Sequence, residues 1–445
     1  MCLIVFGIQK CASICIKNGI KIESEGIGLP NGETIREVDE NGYKYLGVIE
    51  ESDIKYKAMK TLVRQEYLRR VKAVSKSKLY ARNLFLAINV WAVSVVRYTA
   101  GIIDWRVAEL KEMDIKTRKV LTMHGAFHKK SSVDRLYIRR SDGGRGLISI
   151  EDCVRAEELN LKKYAKEVPE ELMIANSDIL YEETVEENGD PKLSEMKNMN
   201  TELESGKGYR ERIGTERKAR VMDKTMHGKY LREIKDVGGS SSTHWIAKGF
   251  VKKSTEGLIF AAQEQALPTN WLKARITGES DNALCRRCKK YVETVSHIVS
   301  GCSDLCQYDY RKRHDRMGLR VYWEMCKKYG IESSKRWNDE VTEKIRTSKC
   351  KRYEIWWDRS VETPKKLEHN RPDMVLIDKI DKRWIIIDFA VPNDKNILTT
   401  CKTKIDKYSE LASQVRKTYH VKTKILPLVV GALGAIPDSL SANLF

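Results

Sequence analysis

The stretch HNRPDMVLIDKIDKRWIIIDFAVP, from His369 to Pro392, constrains the fold more than any other. Its two short apolar runs, DMVLID and RWIIIDFAV, are rich in β-branched residues and flank KIDK, a charged segment of turn length, so they read as an antiparallel hairpin. Such pairing brings Asp373, at the start of the first run, toward Asp388, near the end of the second. Two ionised carboxylates held close repel each other, and a divalent cation removes that cost. Two readings stand here. In one, the hairpin is only a core element whose acids sit at strand ends, since Asp378, Asp381 and Asp394 make acids common locally. In the other, it carries a magnesium site that orients a phosphate and lowers the pKa of a bound water.

The flanks favour the second reading. KRYEIWWDRSVET is predicted as a helix placing Glu354 and Asp358 four apart on one face, which offers a further acid. CKTKIDKYSELASQVRKTY is predicted as another helix, with Ile405, Tyr408, Leu411 and Val415 as its buried stripe and Lys404 and Lys407 beside its start. TKILPLVVGALG then supplies a third apolar strand. Strands with acids at their ends and a lysine directed at them form an arrangement suited to cutting phosphodiesters.

Upstream, ALCRRCKKYVETVSHIVSGC contains Cys285, Cys288, His297 and Cys302, spaced C-x2-C-x8-H-x4-C. A two-residue gap lets one tight turn bring two thiolates to one ion, and the His and the last Cys come from the next element, so the pattern predicts a structural zinc site. The competing reading has the cysteines buried as small hydrophobes, with Cys306 and His314 nearby as rival ligands. Arg286, Arg287, Lys289, Lys290 and Tyr291 are placed on the surface of this knuckle, where phosphate contact and base stacking are available.

A formal charge of +19 over 445 residues favours a polyanionic partner, because Lys and Arg that neutralise phosphates release counterions. The eleven cysteines read as reduced thiols, some of them metal ligands, and MCLIVFGIQKC is too short to span a membrane. CASICIKNGIKI, LPNGETI and NGYKYLGVIE carry Asn-Gly pairs, which suit hairpin turns, and predict one small antiparallel unit. Helical spacing follows, with Met59, Leu62, Val63, Tyr67, Leu68 and Val71 in one run and Leu79, Leu84, Leu86, Ile88, Trp91 and Val95 in the next. Helices are expected over 105–124 and 150–165, with SDGGRGLIS as a loop between them. Mixed charge and few large apolar residues mark 167–242 as a mobile linker with some helix, closed by GGSSST. Trp245, Phe250, Leu258, Phe260 and Trp271 are available for a small helical core after it.

Arg371-Pro372-Asp373 followed by Asp388 resembles the PD-(D/E)xK, or restriction-like, endonucleases, in the version found at the C-terminus of non-LTR retrotransposon polyproteins, where a CCHC knuckle precedes it. FGIQKCA and YKYLGV resemble the last palm motifs of a reverse transcriptase, and the basic helices after Asp53 resemble its thumb. The resemblance implies an α+β multidomain chain divided as a residual palm (1–52), a helical thumb-like domain (53–166), a linker (167–242), a helical linker (243–280), the CCHC zinc knuckle (281–305) and a restriction-like endonuclease (306–445). It implies that Asp373 and Asp388 hold magnesium, that Asp358 assists, and that His369 and Arg371 contact DNA phosphates. Two departures bear on this. The chain has no adjacent Asp-Asp pair, so DNA synthesis by this chain alone is excluded chemically. Ala390 stands where the D-x-K pattern puts lysine, and the retrotransposon version takes that lysine from the next helix, where KIDKY offers Lys404 and Lys407 as equal candidates. The expected function is magnesium-dependent nicking of target DNA to prime reverse transcription, with DNA, element RNA and the polymerase part of a related polyprotein as partners and the nucleus as location. The alternative is a remnant that binds nucleic acid without cutting it.

Overall fold

The computed structural model describes residues 7–40, 42–51, 54–167 and 204–440. Phe6 of the FGIQKCA motif, Asn41, Asp53 and residues 168–203 of the expected linker lie outside these. The chain divides into two compact units, Met1–Ala126 with Gly146–Glu216 and Phe127–Arg145 with Arg217–Phe445. The structure is mixed α and β, and no described helix is long and apolar enough to cross a membrane.

In the first unit, β1 (Cys15–Lys17) and β2 (Ile20–Ile22) pair across Asn18 and Gly19, whose φ angles of 52° and 77° are those of a tight hairpin turn. β3 (Ile27–Gly28) pairs with β4 (Thr34–Ile35), and β5 (Tyr43–Tyr45) with β6 (Val48–Glu50). The expected single antiparallel unit is thus three separate two-stranded sheets. Strands of two or three residues bury little, and Ile16, Ile20 and Ile27 stay exposed. The helices are α1 (Tyr56–Lys76), α2 (Ala81–Ala87), α3 (Val93–Thr99), α4 (Val107–Met123) and α5 (Ile150–Glu167). Met59, Val63, Tyr67 and Val71 of α1 are buried at the predicted spacing, whereas Leu62, Leu79, Leu86 and Trp91 face out. The Tyr67 hydroxyl pairs with the Thr117 hydroxyl at 2.7 Å, which satisfies two polar groups inside the helix packing.

The part of the expected linker that is described is helical. α6 (Gly206–Asp223), α7 (Lys229–Glu233) and α8 (Lys235–Lys248) follow one another, and GGSSST lies inside α8, where Gly238 makes a kink with φ 155°. Tyr230, Leu231, Ile234 and Val237 are few but fall on one side, and within the second unit they share a core with Ile397, Val429 and Ala435. Tertiary burial, not composition, decides that segment. In α9 (Lys253–Gln263) Phe260 is buried as expected, but Leu258 is exposed, as is Phe250 just before the helix. The predicted SDGGRGLIS loop holds buried Arg145, which with Arg140 meets the buried Glu256 carboxylate. A short helix, α10 (Val295–Ser300), and a long one, α11 (Arg311–Lys328), lead to the sheet.

That sheet has five strands in the order β11-β10-β9-β8-β7, with β7 (Ile345–Thr347), β8 (Tyr353–Trp357), β9 (Met374–Asp378), β10 (Arg383–Ala390) and β11 (Lys422–Val429). The β9–β10 hairpin is antiparallel, as predicted, and helix α12 (Ile397–Tyr419) crosses from β10 to the parallel β11. One face buries Ile355, Met374, Leu376, Ile387 and Phe389 under Tyr322, Met325 and Cys326 of α11. The other buries Val375, Ile377, Trp384 and Ile386 under Tyr408, Leu411, Ala412 and Val415 of α12. A helix on each face explains why these strands are continuously apolar and not alternating. Ile405, expected in the buried stripe, is exposed.

KRYEIWWDRSVET forms strand β8 and not the predicted helix. The four-residue spacing of its acids suits a helix, but Ile355 and Trp357 belong to one face of the sheet and Trp356 to the other, which is the two-residue period of a strand.

Candidate metal centres

The candidate zinc knuckle is built from a turn and a short helix. Cys285 N donates to Tyr291 O at 2.8 Å and Lys289 N to Cys285 O at 2.9 Å, folding the two-residue gap so that both thiols face inward. Lys289 turns the chain with φ 55°. The Thr294 hydroxyl accepts from His297 N at 3.1 Å and so caps α10, which carries His297. Glu293, fully buried, accepts from Arg286 N at 2.7 Å and Asn270 N at 2.9 Å and pairs with the Arg286 guanidinium.

The sulfurs of Cys285, Cys288 and Cys302 and a ring nitrogen of His297 all lie within 4.8 Å of one another. Cys285 Sγ and Cys302 Sγ are 4.0 Å apart, and Cys288 Sγ is 3.4 Å from His297 Nε2. Tetrahedral zinc with its usual bond lengths sets those edges at roughly 3.8 and 3.6 Å, so the donors fit the ion with little movement. Backbone N–H groups of Lys290 and Tyr291 bring the Cys288 thiol down to about 6, while burial pushes Cys285 up. Cys306 is exposed and outside this group. Arg287, Lys289, Lys290 and Tyr291 face solvent as predicted. Arg286 does not stand free there, being held by Glu293 and by Pro268 O at 3.0 Å.

The second centre lies at the ends of β9 and β10. Met374 is opposite Ile387 in the ladder, so Asp373 and Asp388 come together at its open end. Asp388 is buried. Its Oδ1 accepts from the Tyr408 hydroxyl at 2.7 Å, and its Oδ2 meets Lys404 Nζ, both partners coming from one face of α12. Burial and then Asp388 push the Tyr408 phenol upward. Lys407 points elsewhere, with Nζ 4.6 Å from the Tyr408 ring centroid. The structure therefore separates the two candidate lysines and puts Lys404 on the carboxylate.

Asp373 Oδ2 accepts from Phe389 N at 2.7 Å and faces His314 Nε2 at 3.3 Å. Burial works against the charge of Asp373, but these donors prevail and hold its carboxyl below the usual range. The same contact, together with Asp315 at 3.0 Å from Nδ1, outweighs burial and raises His314 to about 9. His314 was legible only as a rival zinc ligand, and it stands instead at the carboxylate pair.

Asp358 ends β8 with φ 45°, and its N–H donates to Asp373 O at 2.8 Å. Its carboxylate is gripped by Arg371 at 2.8 and 2.6 Å and by Lys344 at 3.1 Å, which lowers its pKa. Glu354 pairs with Lys379 at 2.6 Å and Trp356 Nε1. His369 is exposed. Arg371 reaches Asp358 and so is engaged, not open to solvent alone.

No protein-family model matches the chain, and no curated protein matches it.

Chemistry must therefore be read from the donors. Among the described residues, Cys285, Cys288, His297 and Cys302 are the one group of three or more ligand-type side chains close enough to share an ion. The carboxylate pair offers only two, which is the number magnesium commonly takes from protein when phosphate and water fill its other positions. Asp373 is held by donors on one oxygen and Asp388 by partners on both, Tyr408 on Oδ1 and Lys404 on Oδ2, and metal-ligating carboxylates are usually hydrogen-bonded by such outer groups.

Proposed function

We propose that this chain is a retrotransposon-derived protein whose second unit is a magnesium-dependent DNA endonuclease, nicking target DNA to provide a primer for reverse transcription. The observation that carries the reading is the placement of Asp373 beside Asp388 at the open end of one hairpin, with Lys404 on Asp388. Asp373 and Asp388 hold magnesium, which when bound neutralises phosphate charge and lowers the pKa of a water. Lys404 orients that water or stabilises the charge developing on the phosphorane. The water oxygen bonds to phosphorus, the P–O3′ bond breaks, and the water's proton ends on the 3′ oxygen, leaving the 3′-hydroxyl that a polymerase extends. Asp358 serves from the end of β8, and Lys407 has no part.

Zinc in the knuckle is structural, because its four protein ligands leave no open position. The knuckle, with Arg287, Lys289, Lys290 and Tyr291, and the basic helices of the first unit bind DNA and element RNA. His369 and Arg371 lie on the DNA side of the nuclease, which works in the nucleus beside the polymerase part of a related polyprotein. A second reading, a chain that binds nucleic acid without cutting, draws on the grip of Arg371 and Lys344 on Asp358. Incubation with supercoiled DNA and magnesium decides between them. Wild type is expected to give open circles and Asp373→Ala and Asp388→Ala to give none; equal nicking by all three, or by none, removes the enzyme.

A further inference from the structure

The knuckle and the carboxylate pair are joined by a short, heavily bonded path inside the second unit. The Tyr310 hydroxyl accepts from Cys302 N at 3.1 Å and stands 2.7 Å from Ile298 O and 3.1 Å from His297 O, so it closes the α10 end of the knuckle. Helix α11 starts at the next residue. Its first turn sends Arg313 to Val391 O at 3.2 Å, with the guanidinium 5.1 Å from the Tyr310 ring centroid. The adjacent residue, His314, reaches Asp373 Oδ2 at 3.3 Å and Phe389 O at 3.2 Å. From the opposite direction Asn393, just beyond β10, donates to Ser296 and, at 3.3 Å, to Ser300, both on the helix that carries His297.

We propose that His314 is a positioning residue for Asp373, and that the zinc-folded knuckle, acting through Tyr310, sets where His314 stands. Asp373 Oδ2 is occupied by two donors, Phe389 N and His314 Nε2. With that oxygen fixed, the carboxylate plane is fixed, and Oδ1 is the oxygen left to face a cation. A carboxylate that must otherwise search its rotamers for the ligating one binds metal more weakly, and removing such an outer donor usually costs about 10–100-fold in affinity. The spacing between the two centres is what makes this transmissible. Tyr310 caps α11 and His314 follows it four positions on, about one turn into that helix, so both move together. Zinc therefore acts on the nuclease site by ordering the helix that delivers its imidazole, without touching substrate.

This inference rests on the nuclease reading for the identity of Asp373 as a ligand, and binding of Mn2+ alone tests it separately from cutting. Mn2+ affinity is measured by electron paramagnetic resonance on the full, zinc-loaded chain, with Asp373→Asn identifying the relevant site. His314→Ala is expected to weaken that site about 10–100-fold. His314→Gln, whose amide can donate from nearly the same place, recovers most of the loss. Tyr310→Phe keeps all four zinc ligands and is expected to weaken Mn2+ in the same direction by a smaller factor. Unchanged Mn2+ affinity in His314→Ala overturns the positioning role, and unchanged affinity in Tyr310→Phe overturns its control by the knuckle. A wild type that binds Mn2+ at Asp373 without nicking DNA ends the nuclease reading and leaves the positioning role standing. One that nicks while His314→Ala binds Mn2+ equally does the reverse.

Discussion

The two centres of the second unit solve opposite problems. In the knuckle, three thiols and an imidazole crowd within 4.8 Å and rely on local backbone N–H groups, which draw the Cys288 thiol toward its charged form. At the hairpin end, two carboxylates repel each other, and each has drawn a cationic side chain from a flanking helix, His314 from α11 and Lys404 from α12. The first is a cage made by local chain; the second is a charge balance made by three layers of the fold. The lesson is that a soft-donor site can be complete in itself, whereas a carboxylate site is defined by what neutralises it.

The knuckle gives the largest expected effect. Wild type should carry one equivalent of zinc, and Cys285→Ser should lose it, as read by metal analysis of the purified chain. Because binding of structural zinc is itself folding free energy, on the order of 10 kcal/mol in small zinc modules, the residues from Leu284 to Tyr310 should then exchange their amide hydrogens without protection. Full zinc retention by Cys285→Ser would remove the cage.

Next in size is Asp388→Asn. It keeps the shape and the Tyr408 hydrogen bond but removes the charge that Lys404 meets. Nicking should fall by more than about 100-fold, since the loss of a ligand exceeds that of an outer donor. Zinc content should not change, which separates the two centres in one sample.

Smaller, and more discriminating, is the pair Lys404→Ala and Lys407→Ala. Removing one electrostatic donor at a developing charge costs about 10²–10³-fold in rate. That loss is expected for Lys404→Ala alone, with Lys407→Ala within about threefold of wild type, the scale of a lost exposed charge. The opposite ranking, measured as initial nicking rates, would move the lysine of this site one helical turn and break the geometry argued for α12.

These differences follow how far each feature was readable in the chain. The knuckle's four ligands sit in one short segment, so spacing alone shows them. The hairpin was equally plain, because KIDK between two apolar runs has few other folds, and the lysine's displacement to KIDKY came from the resemblance and not from any period. What the sequence hid was set by distant packing. β8 read as a helix because Glu354 and Asp358 are four apart, yet Ile355, Trp356 and Trp357 have to serve two faces of a sheet. The helices after Gly206 read as linker because only Tyr230, Leu231, Ile234 and Val237 mark their buried side. His314 carried no signal at all for the carboxylate pair: its partners, Asp373 and Phe389, lie far along the chain, and only the fold of α11 onto β10 joins them. An expected zinc rival became the neighbour of Asp373 for that reason.

The smallest effect tests whether charge balance really defines the second centre. In magnesium-free buffer the His314–Asp373 pair should stabilise the second unit only while both members are ionised. His314 is raised from its ordinary value to about 9, so its contribution is complete below the unfolded value near 6.5 and is lost as pH climbs through about 9. Asp373 is lowered, so its contribution is complete above the unfolded value near 3.8 and is lost as pH falls through its depressed value. The difference in Tm between wild type and His314→Ala should therefore be widest between about pH 4 and 6.5, shrink between 6.5 and 9, and vanish above that. Since both groups are about a third exposed, solvent screening keeps the shift to a few degrees. A difference independent of pH would mean that His314 acts through packing against Phe389, whose ring centroid is 6.1 Å away, and not through the carboxylate. The comparison between a self-contained cage and a neutralised pair would then fail on its second half.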